Sequence, residues 1–355
     1  MQAGQVFSLA IVAFTLAVLV MPRLSDSING LFATGIIGIL GAIFLLLAAF
    51  SNHYGQFLFC FSAGFGFASG ALYINVLSMA AATRHSTWLT PVMVALFGFG
   101  GVVFGPLWRQ LVARDWGAQA LLPLAGLLLL SAIISVFIAK HPLPVGLNFK
   151  AKANLSDKPE PHEASDWSVL FFIWGIFFTG SAAGLMVLGL ASKIIEQAGG
   201  TVAMASAGLA GIAVGNTLGR LSVGVQLFFI GARPVALLAA CVVGSGLGFV
   251  LFSTDAARVT FGLSLVALGY GIMASAIPAM VQRQFGAVKF SNYFSIVFTA
   301  WGVAGLTAPW LAGYLFDTSG SFTSAIRLAL LATGFCAVLV ISFALIKKGQ
   351  QVGVD

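Results

Sequence analysis

The sequence predicts an all-α membrane protein with about eleven transmembrane helices, and three observations lead to this fold class. Of its 355 residues, 59% are hydrophobic and only 8% are charged, whereas soluble domains carry about a quarter charged residues. Apolar runs of about 20 residues, the length that a helix needs to cross roughly 30 Å of hydrocarbon, recur along the chain. The alternating polarity of outer-membrane β-strands is absent from the sequence.

The apolar runs define the predicted elements in order. In lipid, a single segment satisfies all its backbone hydrogen bonds only as a helix. Only the seventh run contains a charged residue, Arg220. The connections are mostly short, which favours antiparallel neighbouring helices. The eleven runs are approximately 4–21, 31–50, 57–79, 88–108, 118–139, 167–192, 201–226, 234–254, 259–282, 290–316 and 328–346.

The basic residues indicate the orientation of the helices. If the loops alternate sides, most lysines and arginines fall on one side, and loops rich in these residues are usually cytoplasmic. We therefore expect a multi-pass protein of the inner (plasma) membrane, with the C-terminus and the central loop in the cytoplasm and the N-terminus outside. The net charge of +7 follows from this bias. Because the basic residues are scattered without interleaved aromatics, no nucleic-acid partner is expected.

One long polar stretch divides the chain. Residues 141–166 are rich in proline, lysine and acidic side chains and lack apolar periodicity. The sequence therefore predicts an N-terminal bundle of five helices (1–140), a cytoplasmic linker (141–166) and a C-terminal bundle of six helices (167–355).

Short motifs recur in the two predicted bundles. The Gly-x-Gly pattern at 64–66 recurs at 269–271. A second motif consists of two small residues four positions apart and a proline directly after them. It ends at Pro106 in one bundle and at Pro309 in the other. Such recurrence is typical of transporters built from parallel repeats. It indicates a duplicated six-helix unit whose first copy lacks one helix. Most of these small residues are expected to pack helices, and the two prolines are candidate hinges.

Two segments resemble the major facilitator superfamily. Residues 22–30, PRLSDSING, resemble the loop between its second and third helices, and Gly219-Arg220-Leu-Ser-Val-Gly224 with Gly231-Ala-Arg233 is similar to the equivalent loop of the C-terminal half. Phe228 stands where that loop usually has Asp. The resemblance implies two pseudo-symmetric bundles around a central cavity, alternating access, and a gating role for Asp26 and Arg233. It also makes the first run the second helix of the superfamily, so that the first is missing from this sequence.

A narrower resemblance concerns the substrate. Residues 283–322 resemble the oxalate/formate antiporter family and its monocarboxylate-transporter relatives, which implies a small organic anion as substrate and a carboxylate-binding arginine at Arg220. Oxalate-specific members also use a lysine in the helix that corresponds to 290–316, which contains none here. A monocarboxylate is therefore expected rather than the oxalate dianion.

Arg220 is the first candidate for substrate binding. An arginine inside a transmembrane helix costs at least a few kcal/mol at the midplane, so it normally faces a cavity or a partner. Its planar guanidinium can hold a carboxylate through two hydrogen bonds. Two alternatives remain open: the side chain clamps the gating loop, or it extends to the cytoplasmic surface from its position roughly 9 Å from the predicted helix end.

Other polar residues at membrane depth complete the predicted site. Asn216 lies one helical turn from Arg220 on the same face. Each of these side chains either binds substrate or hydrogen-bonds a neighbouring helix. All acidic residues are assigned to loops, helix ends or the C-terminus, so a cavity with one fixed positive charge should favour an anion. The further candidates for substrate binding are Tyr73, Tyr270 and Trp301.

These observations predict a carrier of small organic anions that works by exchange or facilitated diffusion. No enzyme activity, metal or cofactor is expected, because the sequence contains no acid/base, nucleophile or metal-ligand constellation. The expected partners are the small-molecule anion and the lipid bilayer, and the chain is expected to be monomeric. The alternatives are a transporter-derived sensor or scaffold without turnover and a truncated, inactive carrier, both of which the missing helix favours.

Overall fold

The computed structural model describes residues 2–24, 29–140 and 165–352, without the side chains of residues 2, 3, 106, 109, 165, 166 and 346–352. Within these ranges the chain is helical, and short turns join the helices. The helices are α1 (Gln2–Leu24), α2 (Gly30–Ala49), α3 (Tyr54–Phe57), a π-helical segment (Leu58–Phe65), α4 (Gly66–Ala81), α5 (Ser86–Val112), a 3-10 turn (Gly117–Leu121), α6 (Leu122–Lys140), α7 (Ser165–Leu188), α8 (Ala191–Gln197), α9 (Val202–Phe229), α10 (Ala232–Phe252), α11 (Ala256–Ser319) and α12 (Thr323–Val352).

The helices account for the eleven predicted runs. Among the described residues, ten helical stretches are long and apolar enough to cross a membrane. One of them, α11, has 64 residues and is interrupted at Gly286, whose φ of 73° and ψ of 169° are not helical. Because glycine adopts a positive φ without steric cost, one residue separates two spans. The prediction of an all-α membrane protein with about eleven transmembrane helices is confirmed.

Two predicted boundaries were wrong. The segment 283–289, expected as a loop, is helical on both sides of Gly286. The sixth run was expected to extend to residue 192, but α7 ends at Leu188 and the separate helix α8 begins at Ala191. In both places the apolar pattern alone did not reveal a turn of one or two residues.

The described chain divides into two compact units. The described residues of unit 1 are 2–24, 29–86, 103–140 and 285–302, and those of unit 2 are 87–102, 165–284 and 303–352. The residues 141–164, which contain most of the predicted linker, lie outside the described residues, as does Asp26. The predicted boundaries at 140 and 167 therefore stay a prediction.

Unit 1 is held together by close approaches between small residues. A Cβ atom on Gly38 of α2 would lie 2.8 Å from the Cβ of Ala132 of α6, so these helices pack almost backbone to backbone. On α4, a methyl group at Gly70 would overlap with the carbonyl oxygen of Phe14 in α1. Such contacts are the usual means of helix association in membranes.

In unit 2, glycines likewise allow a close approach of two helix backbones where α9 crosses α11. A Cβ on Gly215 would lie 2.7 Å from the carbonyl oxygen of Ser264, and one on Gly219 would overlap with the carbonyl oxygen of Leu268. One turn further along α11, Gly271 lies against the carbonyl oxygen of Asn216. Three close approaches in succession fix the rotation of α9, and with it the direction in which Arg220 leaves the helix.

Candidate anion site around Arg220

Arg220 lies deeper in its helix than the sequence indicated. The helix α9 begins after Thr201, whose Oγ1 accepts a hydrogen bond from the backbone N–H of Met204 at 3.2 Å, and it ends at Phe229. Arg220 is thus nine residues, or roughly 13 Å, from the C-terminal end. Only 8% of its surface is exposed. The charge is buried well within the membrane-spanning part of unit 2.

Two hydrogen bonds hold the guanidinium, and both acceptors are neutral. The Nε–H donates to Oδ1 of Asn216 at 3.1 Å, and Nη1 donates to the backbone carbonyl oxygen of Val94 in α5 at 2.9 Å. Asn216 precedes Arg220 by one turn, so the side chain bends toward the N-terminal end of α9. This direction is opposite to the predicted cytoplasmic end, and the side chain therefore does not extend to that surface.

A glycine on α5 makes room for the charge. An ideal Cβ on Gly98 would lie 2.9 Å from Nε and 3.0 Å from Cζ of Arg220. Gly98 follows Val94 by one turn, so both residues present the same face of α5 to the arginine. The guanidinium consequently lies close to the α5 backbone at Gly98.

Within the described ranges, Arg220 has no carboxylate partner. The carboxylates that the structure describes belong to residues at or near helix ends, as Asp255 illustrates by accepting a hydrogen bond from the backbone N–H of Arg258 at the start of α11. Neutral acceptors compensate only part of the cost of burying a charge. A negatively charged ligand would compensate for the rest of this cost.

The helix α5 also contains a buried hydroxyl group that makes no hydrogen bond to a described residue. The Oγ1 of Thr90 has no partner among the described residues, and the residue is 0% exposed. Thr90 precedes Val94 by one turn and therefore lies on the face of α5 that contacts Arg220. Two residues before Thr90, Trp88 packs against Gly224, where a Cβ would lie 3.4 Å from that of Trp88. Thr90 is a candidate ligand residue that the sequence did not indicate.

The remaining predicted site residues fall into separate groups. Tyr270, 5% exposed, belongs to unit 2, where its ring packs against Gly184 of α7. Tyr73 and Trp301 belong to unit 1, where each contacts Phe14, with ring centroids 5.7 and 5.9 Å apart. Phe298 joins the same cluster at 5.4 Å from Tyr73 and 5.1 Å from Trp301. The structure thus brings Asn216 to Arg220, and it places Tyr73 and Trp301 against the same two rings, those of Phe14 and Phe298.

The predicted gating and hinge residues are distributed along the chain. Arg233 lies in the first turn of α10, with its Cζ 4.8 Å from the centroid of the Phe343 ring. Pro309 lies inside α11, which continues through it. Asp26 and the side chain of Pro106 are outside what the structure describes. Gating and hinge roles stay predictions for all four residues.

Comparison with solved structures shows the fold. The chain matches the Escherichia coli fucose:proton symporter with a TM-score of 0.72 at 14% identity, over 96% of this chain and 90% of that one. The chain has the major facilitator fold. It is likewise similar to the human organic anion transporter MFSD10, with a TM-score of 0.74 at 13% identity over 95% of this chain and 83% of that one. It is also similar to the proton:xylose symporter XylE, with a TM-score of 0.73 at 12% identity over 96% of this chain and 86% of that one.

This fold confirms the broader of the two resemblances in the sequence at the level of architecture. No family model and no curated protein matches the chain. The resemblance to oxalate/formate antiporters and monocarboxylate transporters therefore stays a prediction. Together with the apolar helices, the major facilitator fold makes the chain a multi-pass membrane protein.

Proposed function

We propose that this chain is a secondary or facilitative transporter of small organic anions, with monocarboxylates as its substrate class and Arg220 as the anion anchor. The observation that carries the proposal is the burial of Arg220 against neutral acceptors only, among the described residues. A buried permanent charge without a counter-charge creates a positive potential that favours an anion. Solved structures with this fold include an organic anion transporter as well as sugar symporters.

The charge count favours a monoanion. A carboxylate that accepts two hydrogen bonds from the guanidinium neutralises one positive charge. A dianion such as oxalate would keep one negative charge buried without a partner, which costs several kcal/mol.

The proposal is tested by uptake into proteoliposomes. Purified protein is reconstituted with unlabelled anion inside, and entry of labelled formate, acetate, lactate, pyruvate and oxalate is measured. We expect uptake of at least one monocarboxylate, and loss of that uptake in Arg220→Gln and in Arg220→Lys, since lysine keeps the charge but not the planar pair of donors. The control is Arg258→Gln, which changes an exposed arginine at the start of α11 in the same unit.

A second measurement separates an anchor from a gate. Thermal stability of wild-type protein in detergent is followed across the same anions, because a ligand that binds the folded state raises its stability. If Arg220 binds the anion, Arg220→Gln should abolish both the stabilisation and the uptake. Stabilisation that persists in Arg220→Gln while uptake is lost would assign Arg220 to gating. Normal uptake by both Arg220 variants would refute the proposal.

A further inference from the structure

A second cationic site lies in unit 2 where α9 ends and α10 begins. A cavity of about 350 Å³ is lined by the first turn of α10, by Met280, Arg283 and Gln284 of α11, and by Phe343 of α12. It contains two arginines, Arg233 and Arg283, and none of its lining residues is acidic. The proposed transport site does not use these residues.

The two arginines are held by the protein in different ways. Nη2 of Arg283 donates a hydrogen bond to the carbonyl oxygen of Leu227 in the last turn of α9 at 3.1 Å, which is a favourable position for a cation. Its Nη1 lies 3.4 Å from the position that a Cβ of Gly231 would take. Arg233 packs its guanidinium on Phe343 and makes no hydrogen bond to any described residue. Most donors of both side chains thus remain for a ligand.

The backbone adds to the positive character of the cavity. Gly231, with a φ of 79°, precedes α10, and no side chain caps the first turn of this 21-residue helix. Uncapped backbone N–H groups at a helix start carry partial positive charge.

The described acidic side chains of unit 2 lie at the opposite ends of the helices. Glu196 is in α8, whose Gln197 donates a hydrogen bond to the carbonyl oxygen of Gly320 after the end of α11. Asp317 is in the last turn of α11, and Asp255 precedes its start. The cavity therefore faces no described carboxylate that would neutralise its arginines.

We infer that this cavity binds the phosphate headgroup of an anionic phospholipid. The phosphodiester is the chemistry that two guanidinium groups and a helix start recognise. A lipid fits better than a free anion because the cavity is at the end of membrane-spanning helices, and Met280, Pro234 and Phe343 give it an apolar part. Phe228 and Phe229, just before it on the chain, are 81% and 75% exposed. Basic pockets between transmembrane helices on the cytoplasmic side bind such headgroups.

Native mass spectrometry of the full chain in detergent tests this inference. The protein is incubated with phosphatidylglycerol, with phosphatidylcholine of the same acyl chains, or with inorganic phosphate. We expect retained phosphatidylglycerol, little phosphatidylcholine, and an occupancy of phosphatidylglycerol at least about fivefold lower in Arg233→Gln and in Arg283→Gln. Arg258→Gln and Arg327→Gln, which change exposed arginines at the other end of unit 2, should bind like wild type.

Arg233→Gln is the decisive variant, because Arg233 makes no described hydrogen bond within the protein, whereas Arg283→Gln also removes a contact to α9. Equal retention of both lipids, or unchanged phosphatidylglycerol occupancy in Arg233→Gln, would overturn the inference. Displacement of phosphatidylglycerol by millimolar inorganic phosphate would overturn the lipid assignment and indicate a soluble anion. None of these outcomes depends on transport, so the result is independent of the role proposed for Arg220.

Discussion

At the scale of single residues, Arg220 combines a permanent charge with acceptors that do not neutralise it. Its hydrogen bonds to Asn216 and to the carbonyl oxygen of Val94 fix the guanidinium without removing its positive field. Gly98 determines how closely the guanidinium approaches α5. The position of the charge, as well as its presence, should therefore control binding.

Gly98→Ala tests the position of the charge without removing it. The new methyl group would lie 2.9 Å from Nε of Arg220, so the guanidinium must move and its bond to Val94 should weaken. We expect anion uptake to fall by about tenfold or more, because a hydrogen bond to a charged group contributes about 1.5–3 kcal/mol. The matched control is Gly101→Ala on the same helix, where a Cβ meets nothing within 4 Å. Equal uptake by the two variants would contradict this account.

Thr90→Val removes a buried hydroxyl that has no partner among the described residues. Loss of an unsatisfied polar atom should leave thermal stability unchanged or raise it. If the hydroxyl binds the transported anion, KM should rise roughly threefold to tenfold, as expected for a hydrogen bond of about 1 kcal/mol. Uptake assays across substrate concentrations and a melting curve measure the two effects. A marked loss of stability with unchanged KM would assign Thr90 to packing.

Part of this site was accessible from the sequence and part was not. Arg220 was evident as the one charge in an apolar run, and Asn216 followed because residues four apart share a helix face. Val94, Gly98 and Thr90 were not found, because they are more than 100 positions away in the chain. A backbone carbonyl has no sequence signature, and Gly98 is one of many glycines in this protein.

At the scale of helices, the crossing of α9 and α11 determines where Arg220 points. Gly219→Ala should be strongly destabilising, because its methyl group overlaps with the carbonyl oxygen of Leu268, which belongs to a helix backbone and cannot rotate away. We expect a loss of about 1–3 kcal/mol, typical of overpacking. Gly313→Ala in α11 is the control, since a Cβ there has open space and alanine favours the helix by up to about 1 kcal/mol. Melting temperatures in detergent compare the two, and equal stability would contradict the packing argument.

The sequence predicted the helices better than their irregularities. Hydrophobicity located the membrane-spanning helices that the structure describes, because lipid admits no other single-segment structure. It did not reveal the π-helical segment Leu58–Phe65, since a π-helix differs in hydrogen-bond register and not in polarity. Phe57, at the end of α3, stacks on Phe61 of that segment with ring centroids 5.3 Å apart, and the ring of Phe65 is tilted against Phe61 at 5.9 Å. Similarly, the break in α11 involves the single residue Gly286, so no polar loop marks it in the hydrophobicity pattern.

At the scale of the whole molecule, the charges define an orientation that can be tested by labelling. The bias of lysine and arginine predicts a cytoplasmic C-terminus, which places the turn between α4 and α5 inside and the turn after α8 outside. His85 and Glu196, both exposed, lie in or next to these turns. The exposed Cys241 is first changed to serine, which leaves only the buried cysteines Cys60 and Cys336. In this background, single His85→Cys and Glu196→Cys variants are made. Spheroplasts that contain each variant are then treated with a membrane-impermeant maleimide. We expect Glu196→Cys to be labelled in intact spheroplasts and His85→Cys only after permeabilisation. The reverse pattern would invert the orientation, and would also place the cavity around Arg233 and Arg283 at the outer leaflet.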